Sequence, residues 1–332
     1  CMTYDELVAS IQSYTENQFP DTYLADGSAV SSINQINTFI KQAEQRIYNT
    51  VQFPALRKNV TGKATVNNKY VTCPDDFLAV YSMAVVSNVT GGNINTGTYE
   101  YLLNKDVNFI RQAYPTPNDT GTPKYYALFG PSVNTSGITN ELTFILGPTP
   151  DQAYDVELHY YYYPASIIRA QLSSLGTITG GSGYVDNTYF GVALNGGTGT
   201  GAVATIKVSG GAVTEVTITN PGCQYVVGDV LTASATVIGN SGSGFSVPVA
   251  AVVNASGTSW LGDNFDSVLL YGCLVEAYTF MKGEQDLIAL YNQKYTEALG
   301  MASRLGDGME RSDAYRSGQF RLPPLPQNNG VK

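Results

Sequence analysis

The chain reads as an α+β protein. N- and C-terminal helices form a helical bundle, a β-sandwich or barrel lies between them, and an all-β module is inserted ahead of the last helices. Three observations predict this. Apolar residues recur at helical spacing at both ends of the chain, and the period falls to two from about residue 56. The stretch 175–258 then holds 17 of the 34 glycines with only four charged residues, Asp186, Lys207, Glu215 and Asp229.

Residues 1–55 supply the first part of the bundle. In TYDELVASIQSY, Thr3 and Glu6 have capping-box spacing, and Leu7, Val8 and Ile11 mark one face. After a polar loop, Ile33, Ile36, Ile40, Ala43, Ile47 and Val51 predict an amphipathic helix of about five turns. Residues 56–170 follow as the sandwich or barrel. Its strand-like runs (KATV, KYVTC, FLAVYSMAVV, KYYALFG, LTFILG, YDVELHYYYY) are separated by NN, PDD, GG and GPTPD turns, with one short helix at 103–114.

In the glycine-rich module, residues 175–258, two halves echo one another. GSGYVDNTY…GTGTGAVATIKV resembles PGCQYVVGDV…GNSGSGFSVPVAAV, about 41–43 residues later. A module reached through a linker at each end is expected to project from its host. Residues 260–306 complete the bundle: one nearly apolar helix from Trp260 to Met281, a break at KGEQ, and a second helix striped by Leu287, Tyr291, Tyr295, Ala298, Ala302 and Leu305. Residues 307–332 form an extended tail with three prolines and no periodicity, the composition of a segment that is either disordered or ordered only against a partner.

Of the 332 residues only 14% are charged, and the formal net charge is −9. Sparse charge with 24 tyrosines suits a chain that buries surface against other subunits. An acidic chain is not a nucleic-acid-binding module, although an acidic wall lets DNA slide past without trapping it. Cys1, Cys73, Cys223 and Cys273 fit no metal spacing and read as free thiols. No signal-peptide pattern and no apolar run of about 20 residues occurs, so no membrane partner is expected. The five Asn-x-Ser/Thr sequons, from Asn59 to Asn254, reflect an Asn- and Thr-rich composition.

No constellation carries chemistry, and neither an enzyme nor a metal or cofactor is expected. His159 is the only histidine and shares a strand face with Asp155 and Glu157, without any nucleophile motif nearby. Asp75 and Asp76 follow Pro74 at a turn, where Asp is ordinary turn chemistry before it is a carboxylate pair. GGTGTG (196–201) and GNSGSG (239–244) lead into strands, whereas a phosphate-binding loop needs a Lys-Ser/Thr and a helix. Asp186, Glu215 and Asp229 match no calcium-loop spacing.

The block HYYYYP, residues 159–164, divides by strand parity. Val156, Leu158, Tyr160 and Tyr162 face the core; Asp155, Glu157, His159, Tyr161 and Tyr163 face solvent or a neighbouring subunit. Tyr161 and Tyr163 are therefore the candidate subunit-interface residues. Pro164 ends the strand, and a second module follows within a few residues.

In order along the chain, INTFIKQAEQRIYN, CPDDFLAVYSM, PKYYALFG, LTFILGPTP, VELHYYYYP and WLGDNFDSVLLYGCLVEAYTFMKGEQDLIALYNQKYTEAL resemble the head-to-tail adaptors (connectors, tail tubular protein A-like) of short-tailed bacteriophages and their relatives. The departure is the glycine-rich insert between Ile168 and Trp260, itself similar to β-modules of phage virion proteins. The resemblance implies a structural virion protein at the head-tail junction, assembled in the bacterial cytoplasm. Its copies would form a homo-oligomeric ring of about twelve that joins the portal protein to the tail or nozzle protein. Double-stranded DNA would pass through its channel without specific binding. It also implies that the C-terminal tail docks in the portal, with Arg311, Tyr315, Arg316, Phe320, Arg321, Leu322 and Pro323 as the contact residues. The insert would meet tail fibres or, in an alternative reading, make the chain a carbohydrate-binding or host-adhesion protein.

Overall fold

A computed structural model of the chain describes residues 1–23, 29–134 and 137–309. The chain is mixed α+β and divides into two compact units. Unit 1 comprises Cys1–Val51 and Pro164–Ser303; unit 2 comprises Gln52–Tyr163 and Arg304–Lys332, the latter described as far as Met309.

Unit 1 opens with α1 (Tyr4–Thr15), capped as its sequence predicts. The Glu6 N–H donates to Thr3 Oγ1 at 3.4 Å, and the Thr3 N–H donates to Glu6 Oε2 at 2.9 Å. A two-stranded ribbon, β1 (Thr22–Tyr23) and β2 (Ala29–Val30), leads into α2 (Ser32–Thr50). Tyr4, Leu7 and Ile11 of α1 are buried, as are Ile36, Phe39, Ile40, Ala43 and Ile47 of α2.

Unit 2 follows in one run: β3 (Arg57–Lys63), β4 (Tyr70–Thr72), β5 (Phe77–Ser87), β6 (Thr98–Tyr101), β7 (Leu103–Asn104), α3 (Val107–Ala113), β8 (Thr120–Gly121), β9 (Tyr125–Asn134), β10 (Gly137–Gly147), β11 (Thr149–Pro150) and β12 (Asp155–Tyr162). One four-stranded sheet has the order β3-β12-β5-β6 and the other β4-β10-β9-β7. Met83, Val85, Val156, Leu158 and Tyr160 of the first sheet form a single buried cluster with Phe144 and Leu146 of the second. The expected helix at 103–114 is shorter. Leu103 and Asn104 pair parallel with β9, and the helix starts only after Asp106, whose carboxylate accepts from the Asn108 N–H.

The chain re-enters unit 1 at Pro164 and builds the glycine-rich module from β13 (Gln171–Leu175), β14 (Thr179–Ser182), β15 (Asn187–Ala193), β16 (Thr200–Ser209), β17 (Ala212–Cys223), β18 (Val230–Leu231) and β19 (Ser243–Val253). β15-β16-β17 form one sheet; β13 and β14 flank β19, which also pairs with β18. The two sequence halves interlock reciprocally. Tyr184 of the first half lies over the second half's turn, its hydroxyl accepting from the Phe245 N–H at 3.1 Å. Tyr225 of the second half lies over the first half's turn and accepts from the Ala202 N–H at 3.2 Å. Each turn needs its glycine, because a Cβ on Gly242 or Gly199 would enter the Tyr184 or Tyr225 ring.

The module does not hang on its linkers alone. It belongs to the same compact unit as α1 and α2 and is tied to them by side chains. Arg169 pairs with Asp5 at 2.9 Å, Asn34 Nδ2 donates to the Gly201 carbonyl at 3.4 Å, and the Tyr4 hydroxyl, hydrogen-bonded to Asn37, lies 3.7 Å from Cys223 Sγ. Asn254 Nδ2 joins the module's two ends by donating to the carbonyls of Ser166 and Thr258.

Three helices close the described chain: α4 (Trp260–Asn264), α5 (Asp266–Phe280) and α6 (Gln285–Met309). The expected single helix from Trp260 is broken at Phe265, whose backbone (φ −140°, ψ 54°) leaves the helical region. α5 packs against both α1 and α2 and buries residues all round, which explains its nearly unbroken apolar sequence. Glu44 is the charged residue in this core, 5% exposed, with the Ser166 hydroxyl donating to it at 2.6 Å and the Ile167 N–H at 2.9 Å. Burial pushes its carboxyl up to about 7, against the pull of those two hydrogen bonds and of Lys41.

Candidate subunit interface

β12 is an interior strand, antiparallel to β3 on one side and β5 on the other. Its parity holds: Val156, Leu158 and Tyr160 are buried, while Asp155, Glu157, His159 and Tyr161 are half-buried on the outer face. Tyr162 packs against the edge of the core cluster.

β5 departs from simple alternation. Its register against β12 shifts twice, so that Tyr81 and Leu78 are extra residues without a partner across the ladder. Period two alone would place Tyr81 with Phe77, Met83 and Val85 toward the core. The bulge turns it outward instead, and it is 50% exposed. There it meets the outer face of β12, with its ring 5.0 Å from that of His159 and 6.2 Å from that of Tyr161. Arg57 stands opposite Tyr161 in the β3–β12 register and holds its guanidinium carbon 4.4 Å from the centre of the Tyr81 ring. Tyr101 of β6, 65% exposed, extends the same sheet toward its other edge, opposite Ala84. The result is a sheet face on which Tyr81, Tyr101, Tyr161, His159 and Arg57 lie beside the carboxylates Asp155 and Glu157, and tyrosine and arginine are residue types that anchor protein contacts.

The two predicted interface tyrosines are thus placed differently. Tyr161 lies in the aromatic cluster. Tyr163 lies one residue past β12, half-buried, its N–H donating to the Asp76 carbonyl at 2.9 Å. Tyr81, Arg57 and Tyr101 were not expected on this surface. Arg57 needs the β3–β12 register to be seen, and Tyr81 needs the bulge. The predicted portal-docking residues Arg311, Tyr315, Arg316, Phe320, Arg321, Leu322 and Pro323 lie outside the described residues.

Three of the carboxylates weighed for chemistry, Asp76, Asp186 and Asp229, are engaged in structure. Asp76 accepts from Lys58 Nζ and from the Tyr160 hydroxyl, each at 2.6 Å. Burial alone would raise its carboxyl, but these hydrogen bonds and the Lys58 charge hold it below the ordinary carboxylate range. Asp186 accepts from the N–H groups of Gly210 and Gly211, and Asp229 from Val226 and Thr198. Backbone donors hold both carboxyls below their ordinary value. Among the described residues, no three His, Cys, Asp or Glu side chains come together as a metal site, and no helix is long and apolar enough to cross a membrane.

None of the curated proteins matches the chain. The model of the SU10 adaptor protein family matches residues 2–184, more than half of the sequence, ending within the glycine-rich module. With that match over both the α1–α2 region and the sheets that carry the Tyr81 cluster, the chain belongs to the SU10 adaptor family of phage proteins.

Proposed function

We propose that the protein is a structural adaptor of the phage virion, placed at the head-tail junction between portal and tail proteins, and that its copies close into a ring of about twelve around the DNA channel. It acts by geometry and repeated contacts, without catalysis. The observation that supports this most is the outer face of β3-β12-β5-β6. A bulge that turns a tyrosine away from the core, onto a surface already carrying Tyr161, His159 and Arg57, provides anchors for a neighbouring subunit. Membership of an adaptor family supplies the setting, and the formal charge of −9 suits a channel wall that does not trap DNA.

The test is co-sedimentation of the chain with the portal protein of the same virion, comparing wild type with Y81A and R57A. Each substitution is expected to weaken assembly on the portal by about tenfold or more, as removal of an interface anchor does. Undiminished assembly of the double variant would remove this face from the interface.

A further inference from the structure

Between β3 and β4 the two sheets of unit 2 part to leave an apolar groove of about 260 Å³. Val60, Val71, Cys73, Met83, Phe144 and Leu158 are among its lining residues, and the lining includes no charged group. Among the described residues β3 pairs only with β12, so the edge strand along this groove has one open side. Edge strands with an apolar cleft beside them accept extended segments.

The chain itself has such a segment, and it departs from the right place. Gly306, in the last turns of α6, lies against Phe53 and Pro54, so close that a Cβ there would stand 3.3 Å from the Phe53 ring. Those two residues lead directly into β3, and the Arg57 Nε–H donates to the Pro54 carbonyl at 3.0 Å. The groove begins at Val60, six residues after Pro54, at most roughly 20 Å along the chain.

Beyond Met309 stand 23 residues, with Phe320-Arg321-Leu322-Pro323-Pro324-Leu325 at their centre. From Met309, where α6 ends, to Phe320 the chain can span up to about 36 Å, more than the distance needed. Prolines favour an extended course and need no ladder hydrogen bond, and Phe320 and Leu322 alternate as residues on one side of an extended chain do. Charge agrees as well. Asp75 is exposed beside the groove-lining Pro74, and Arg321 lies between the two apolar residues.

We propose that the C-terminal segment Phe320–Leu325 occupies the groove between β3 and β4 of its own chain. This places on their own chain Phe320, Arg321, Leu322 and Pro323, which the family resemblance implies as portal contacts.

Cys73, 7% exposed in the groove wall, is a built-in reporter. Its alkylation by iodoacetamide would be followed by peptide mass spectrometry in the full chain, in a chain ending at Met309, and in the full-length double variant F320S/L322S. In both altered proteins Cys73 is expected to react at least fivefold faster, while buried Cys223 and Cys273 keep their rates. Equal Cys73 rates in all three proteins would overturn the proposal. The source of the segment is settled by oxidising L322C in a mixture of isotopically light and heavy chains. Links from Cys73 to that position within one chain support the proposal; links between light and heavy chains would overturn it in favour of a second copy as the occupant.

Discussion

Glu44→Gln tests how the helical part of unit 1 is held together. The Glu44 carboxyl is held at about 7 by burial, against about 4.5 for the ordinary group. Because the folded value is raised, the folded state binds the proton more tightly between those two pH values. The stability of the wild type therefore falls as pH rises from about 4.5 to 7, and the penalty persists above 7. A difference of roughly 2.5 units at 1.36 kcal/mol each gives about 3 kcal/mol. Glutamine keeps a carbonyl oxygen for the Ile167 N–H and offers an N–H₂ to the Ser166 hydroxyl, so the polar contacts survive without the charge. The variant is expected to be more stable than wild type at pH 8 by about 3 kcal/mol, close to it at pH 4.5, and free of this slope between. Urea unfolding followed by Trp260, the only tryptophan and a residue of unit 1, measures this directly. A variant with the wild-type pH slope, or one less stable at pH 8, would refute the reasoning.

Other predictions concern glycines and one reciprocal tyrosine of unit 1. Gly199→Ala is expected to destabilise unit 1 by about 1–3 kcal/mol, because its methyl would enter the Tyr225 ring. Gly300→Ala in α6, where a Cβ meets nothing within 4 Å, is expected to stabilise by about 0.5–1 kcal/mol, with thermal melts separating the pair. Tyr225→Phe leaves the Ala202 N–H without its acceptor and is expected to cost about 1–3 kcal/mol, with faster hydrogen exchange at Ala202 as the local signature.

Much of this structure was legible where one local rule governs it. The Thr3–Glu6 capping box, the α2 stripe and the alternation of Val156, Leu158 and Tyr160 all follow from spacing alone. Spacing failed where a residue was added or a distant partner decided the outcome. The extra residue in β5 reverses Tyr81, and no property of FLAVYSMAVV marks it. Glu44 can be read as a polar residue on an apolar stripe. Its donors, however, lie more than 120 residues away at Ser166 and Ile167. The internal repeat of the module was visible, but the crossing of Tyr184 and Tyr225 onto each other's half arises only in three dimensions. The candidate interface was half legible for the same reason: Tyr161 from parity, Arg57 and Tyr81 only from register.

The central claim is that this chain is an adaptor whose copies meet through the Tyr81 face. Electron cryo-microscopy of the chain bound to the portal protein of its virion tests it most directly. The account predicts a closed ring of copies on the portal, with Tyr81, Tyr161 and Arg57 covered by the neighbouring subunit. A complex in which that face stays open to solvent, or a chain that does not bind the portal, would contradict it.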